Sequence, residues 1–153
     1  VSQPNYAGNI IIVLANLPDF LRKPILTKRL EEFFTLSAAD KLETINNALE
    51  AGPTIPFSNF AKLFATWLQI LAGLSEEKRT VMFSAYISEI LRNPQKLVLF
   101  NLDGILEIFL SLDQAKKEII ANSIRQIISK LSDEEKRRLF LIIPQNAKTH
   151  LGI

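Results

Sequence analysis

Residues able to do chemistry are sparse in this chain and poorly placed for it. The single histidine, His150, stands near the end of the sequence, so neither a two-histidine metal motif nor a His–carboxylate–nucleophile triad has a usable member. It reads as a solvated side chain. With no cysteine, disulfides, thiolate metal sites and thiol nucleophiles drop out together, and the redox compartment stays open. Five glycines lie singly, in neither a Walker-type loop nor a dinucleotide fingerprint. Asp103 and Glu107, four apart, share a face of an apolar helix, but helical di-metal sites need Glu-x-x-His and none is present. That pair reads as a wet stripe. Asp40, Asp113, Asp133, Glu76, Glu77, Glu134 and Glu135 all fall at helix starts, where capping and the helix dipole account for them. The expectation is a chain with no catalytic residue, no cofactor and no metal, and not an enzyme.

Two repeated columns keep a claim on function. Lys41, Arg79 and Lys117 recur 38 residues apart, and Lys136 follows after 19. Stacked in parallel they would form a cation ladder for an acidic peptide, phosphates or anionic head groups. Against that, each stem can snorkel over the core while its charge meets a carboxylate, with Glu31, Gln69 and Glu107 on the opposite side as counterparts. Trp67 lies at the rim of an apolar stripe with Phe57, Phe60 and Phe64. Trp67 and Phe60 would mark an exposed aromatic edge for a partner helix; the competing reading is packing between hairpins.

The elements that position these residues are announced by a repeat. Leu74-Ser75-Glu76-Glu77-Lys78-Arg79 has counterparts 38 residues away in Leu36-Ser37-Ala38-Ala39-Asp40-Lys41 and Leu112-Asp113-Gln114-Ala115-Lys116-Lys117. Leu131-Ser132-Asp133-Glu134-Glu135-Lys136 adds a copy after half that interval. Between them stand Leu17-Pro18, Ile55-Pro56 and Asn93-Pro94. Proline has no N–H to lose in the first turn, and Ser or Asp accepts a bond from an orphaned N–H there. Both therefore open helices, and Ser132 with Glu135 fits a capping box. Gly52-Pro53, Gly73, Asn93-Pro94 and Pro144 supply stops.

Matched apolar rows follow the same register. The proline-led helices give Leu26, Phe64, Leu102; Leu30, Leu68, Leu106; and Phe33, Leu71, Phe109. The cap-led helices give Ile45, Phe83, Ala121; Ala48, Tyr86, Ile124; and Gly52, Ile90, Ile128. Steps of three and four place each set on one face. The fold expected is all-α: stacked antiparallel helical hairpins, about 7–9 helices in 38-residue helix–turn–helix repeats, as a short α-solenoid or compact helical array. Residues 1–7 read as a flexible lead-in and 8–153 as a single domain. Its units are 17–54, 55–92 and 93–130, with a half unit at 131–149. Gly8–Leu17 reads as a short buried helix standing where a preceding cap-led helix would end. Pro24 is expected to kink or split the first proline-led helix near Lys23. Asn101-Leu102-Asp103-Gly104 leaves the third either continuous or broken into 94–100 and 102–111.

Composition narrows the function without naming it. Hydrophobic residues make up 48% and mean hydropathy is +0.16, apolar enough to suggest a partner surface, an oligomer or an apolar ligand. A net charge of +2 is too small to argue for nucleic acid, and the mild basic tilt after Asp113 adds little. No apolar run approaches the ~20 residues that span a bilayer, and no signal pattern opens the chain; a cytoplasmic location is expected. The period is longer than that of tetratricopeptide units, whose spaced Trp-Leu-Gly-Tyr pattern is missing. First among the functions expected is a non-enzymatic module for protein–protein interaction or self-association. Second is a carrier of an apolar small molecule, lipid or pigment, lined by Phe33, Phe64, Phe83, Phe100 and Phe109. Nucleic-acid binding comes third and is disfavoured.

Overall fold

A computed structural model describes the backbone of residues 6–153 and the side chains of residues 8–153. Among the described residues there is no strand. The elements are α1 (Tyr6–Ala15), α2 (Asp19–Phe33), α3 (Ala38–Ala51), a 3-10 turn (Gly52–Thr54), α4 (Phe57–Gly73) and α5 (Glu76–Arg92). They continue with α6 (Gln95–Val98), α7 (Leu102–Leu110), α8 (Gln114–Ser129), α9 (Asp133–Ile142) and α10 (Gln145–Leu151). No described helix is long and apolar enough to cross a membrane.

Setting aside α7, which resumes the helix that α6 begins, α2 to α9 start at residues 19, 38, 57, 76, 95, 114 and 133, an interval of 19 each time. The cap-led starts behave as their chemistry requires. Side-chain oxygens of Ser37, Ser75, Asp113 and Ser132 accept from the backbone N–H three residues on, at 3.2, 3.2, 2.9 and 3.1 Å. Ser132 and Glu135 complete the capping box. At the other starts proline sits at the N-cap, one position earlier than expected: the carbonyls of Pro18 and Pro56 already accept first-turn N–H groups.

The helices sort into two layers. One stacks α2 on α4 and α4 on α7; the other stacks α3 on α5 and α5 on α8. Helix α1 packs on α3, the position expected of a preceding cap-led helix. Yet α1 is not buried all round: Ile12 and Val13 are exposed, because α1 ends its layer with no described helix beyond it.

Three other expectations are corrected. Pro24 does not split α2, which runs unbroken through it. It lies in the second turn, where proline forfeits one bond to the Phe20 carbonyl while α4 packs along the same helix. There are ten α-helices among the described residues rather than 7–9. One extra comes from the break at Asn101, whose side chain accepts from Gly104 N–H at 3.0 Å and caps α7. The other comes from Pro144, which opens α10 instead of ending the array; Gly152, at φ 73°, closes it. The final half unit also leaves the alternation. Helix α9 packs on α5, and Leu139 joins Leu91 and Ile128 in a separate small core. The lead-in expected at 1–7 falls outside the described residues, apart from the backbone of 6 and 7, which opens α1.

Candidate functional site

The two layers meet where α4 packs on α8 and α1 on α4, but do not close along their whole length. Between them lies an apolar cavity of about 680 Å³ that touches α1 at one end of the array and α10 at the other. Its walls are the repeat rows themselves. Leu26, Phe64 and Leu102 come from the proline-led layer; Ala48, Tyr86 and Ile124, with Gly52, Ile90 and Ile128, come from the cap-led layer. Phe64, Leu102, Ala48, Tyr86 and Ile124 stay half-buried although they belong to the inward faces, and the surface they keep faces this cavity.

Aromatic rings make a continuous band, all of it on the wall except Phe57. Centroids run from Phe57 to Phe60 (6.0 Å), Phe60 to Phe64 (5.5 Å) and Phe64 to Trp67 (5.5 Å). Trp67 then meets Phe83 and Tyr86 edge-on at 5.8 and 5.4 Å, while Phe60 also meets Phe100 at 5.6 Å. Edge-to-face pairs at these separations are favourable beyond the area they bury. Of the five phenylalanines expected to line a ligand site, Phe33, Phe64, Phe83 and Phe100 line this cavity, and Phe109 packs in the core outside it.

Among the described residues, charged groups reach the cavity only from α2 and α3. Arg29, Glu32, Asp40 and Glu43 are exposed there, so they form a rim at one mouth. Arg29 is bridged to Glu32 at 3.1 Å, which leaves Asp40 and Glu43 as the rim's net charge. Beyond the rim the polar side chains of the wall are Thr44, Asn47, Tyr86 and Trp67; Thr44 donates to the Asp40 carbonyl and Asn47 is also engaged. Burial raises the Tyr86 phenol well above the ordinary tyrosine value, so it stays neutral and able to donate.

The candidate cation column is not brought together as a ladder. Arg79 is 5% exposed and turned into the core. Its Nε donates to Ser123 Oγ at 2.7 Å, Nη1 to the carbonyls of Leu71 (3.1 Å) and Leu74 (2.8 Å), and Nη2 to Glu76. Lys41, Lys117 and Lys136 are half-buried and make no ion pair among the described residues. Arg22 repeats the arrangement of Arg79: it reaches the carbonyls eight and five residues back, Leu14 and Leu17, and pairs with Asp19. The signal was available, since Arg22 stands three 19-residue intervals before Arg79. Both arginines clamp a helix start to the end of the helix before it.

The aromatic edge is likewise internal. Phe60 is buried, and Trp67 is half-buried against its ring neighbours and the cavity. Asp103 and Glu107 are both exposed. A buried carboxylate that pattern reading missed is Glu89, 1% exposed, which meets Lys96 Nζ at 3.9 Å and Asn93 Nδ2 at 3.4 Å. Lys96 also reaches Asn46 on α3, so this cluster ties α6 to both neighbouring helices. Among the described residues, no three His, Cys, Asp or Glu side chains gather as a metal site. No family model, curated protein or solved structure matches this chain.

Proposed function

We propose that this protein is a binding module that holds an elongated apolar molecule, lipid or pigment, between the two layers of a short helical solenoid, without transforming it. The observation that carries the reading is the cavity of about 680 Å³ with walls built from aliphatic and aromatic rows. Small-molecule sites span ~300–1,000 Å³. At ~30 Å³ per water this space equals about 23 water molecules, which would find few polar partners. A hydrocarbon chain in their place gains roughly 25 cal/mol for each Å² removed from water. The test is an organic extract of the protein from its native source, read by mass spectrometry, together with Trp67 emission on addition of tetradecane or 2-tetradecanone. Trp67 is the sole tryptophan and lines the cavity, so occupancy shifts or quenches its emission. An extract free of lipid with unmoved emission overturns the proposal.

A second reading, a docking surface for a protein partner or another copy of the chain, is favoured by the corner between α1 and α2. Phe20 is 76% exposed and Val13 57%, with Ile12, Leu21 and Ile25 at 38% each. Apolar side chains clustered outside a fold often mark interaction sites. Sedimentation across a concentration series checks self-association, which Phe20→Glu should abolish. A wild-type sedimentation coefficient that does not move with concentration removes the self-association form of this reading.

A further inference from the structure

We infer that the cavity is built for a neutral lipid carrying a carbonyl oxygen, a ketone, ester or quinone, which Tyr86 and Trp67 bind within the channel. The inference rests on the cavity reading and deepens it. A channel for plain hydrocarbon has no use for polar groups in its wall, because each lacks water and costs free energy when unpaired. Among the described residues neither the Tyr86 hydroxyl nor the Trp67 indole N–H has a hydrogen-bond partner. Among the described residues no fully enclosed side-chain nitrogen or oxygen is left unsatisfied, so both atoms retain accessible surface, and both residues line the cavity. Their rings meet at 5.4 Å, which places two donors in one stretch of wall.

The types of those groups select the ligand. Indole N–H is a donor only, and a phenol donates readily, so the complementary group is an acceptor; a carbonyl oxygen has two lone pairs for it. Charge selects further. The one cation on the wall, Arg29, is at the rim and bridged to Glu32, while Asp40 and Glu43 add negative charge to the same mouth. A fatty carboxylate would be buried without a counter-ion or held beside like charges, whereas a neutral carbonyl avoids both costs.

The experiment compares three probes of equal chain length, tetradecane, 2-tetradecanone and tetradecanoate, on wild type and on Tyr86→Phe. Trp67 emission reports occupancy, and the infrared carbonyl stretch of the ketone reports its hydrogen bonding. Expected are a ketone preference over both other probes and a carbonyl band moved to lower wavenumber on binding. Tyr86→Phe should weaken ketone binding about three- to tenfold, the worth of one neutral hydrogen bond, and leave tetradecane unchanged. The band should return toward its free position in that variant. Trp67→Phe, read by infrared alone, gives a second removal of one donor. Equal affinity for ketone and alkane, an equal loss of both in Tyr86→Phe, or tightest binding of the carboxylate overturns the inference while sparing the cavity reading. Binding of none of the three defeats both.

Discussion

Arg79 is held by four partners. Replacing it with methionine keeps the bulk but removes its bonds to the Leu71 and Leu74 carbonyls and to Ser123, of which Leu71 keeps the Leu74 N–H and Ser123 keeps Glu76 and Ile119. We expect Arg79→Met to cost about 3 kcal/mol, measured as a lower urea midpoint. Arg29→Met, which breaks an exposed pair, should stay within about 0.5 kcal/mol. Glu76 adds a pH dependence. The hydrogen bond from Arg79 is the largest influence and holds its carboxyl below the usual 4.5, aided by Ser123 and the Arg79 charge and opposed by desolvation. The unfolded chain therefore binds that proton more tightly. Its contribution is complete above about pH 4.5 and drains as pH falls through the lower folded value. Glu76→Gln should flatten that part of the acid limb in urea melts at stepped pH; an unchanged limb would show that Glu76 contributes nothing to it. The column's cations were readable as a register, but not which of them turns inward. That depends on Ser123, 44 residues away along the chain.

At the scale of elements, two glycines differ in what a methyl group would meet. Gly52 has right-handed dihedrals, so its backbone does not demand glycine; a Cβ there would lie 2.5 Å from the half-buried Phe100 ring. Gly104 would bring its Cβ 2.3 Å from the exposed Phe57 ring and 2.7 Å from Asn101 Nδ2, the ends of two side chains at the surface. Gly52→Ala should lose about 1–3 kcal/mol by overpacking. In Gly104→Ala the helix-propensity gain of about 1 kcal/mol offsets much of the strain. Thermal melts rank the two, and a Gly104→Ala variant less stable than Gly52→Ala would contradict this account. Helix starts were legible because a cap and its N–H lie three residues apart. Pro24 misled because local chemistry marks the lost bond, while the packing of α4 on α2 that accompanies the unbroken helix is a tertiary matter. The exposed side of α1 was misjudged for a related reason: an apolar run says that burial is favourable, not that a neighbour exists.

For the whole molecule, the cavity makes an asymmetric prediction about stability and binding. Ala48 is a small residue in a row whose other members are Tyr86 and Ile124. Ala48→Phe should fill part of the channel, leaving the thermal midpoint unchanged or higher, while weakening 2-tetradecanone binding at least tenfold by Trp67 emission. A variant that binds as wild type would place the ligand elsewhere. The sequence by itself determined the 19-residue spacing of the helix starts from α2 to α9 and the residues on each inward face. Those follow from hydrogen bonds and side-chain contacts between residues at most four apart. Only the tertiary structure decided that the two inward faces, although α4 packs on α8, leave a cavity between them. It also decided that Arg79 and Phe60 lie inside and that Tyr86 and Trp67 keep free polar atoms at a common wall. Contacts that tie one layer to the other, such as Lys96 to Asn46, are made across 50 residues. No periodicity within a single helix carries the distance between layers, because the same apolar face serves equally to close a core or to line a channel.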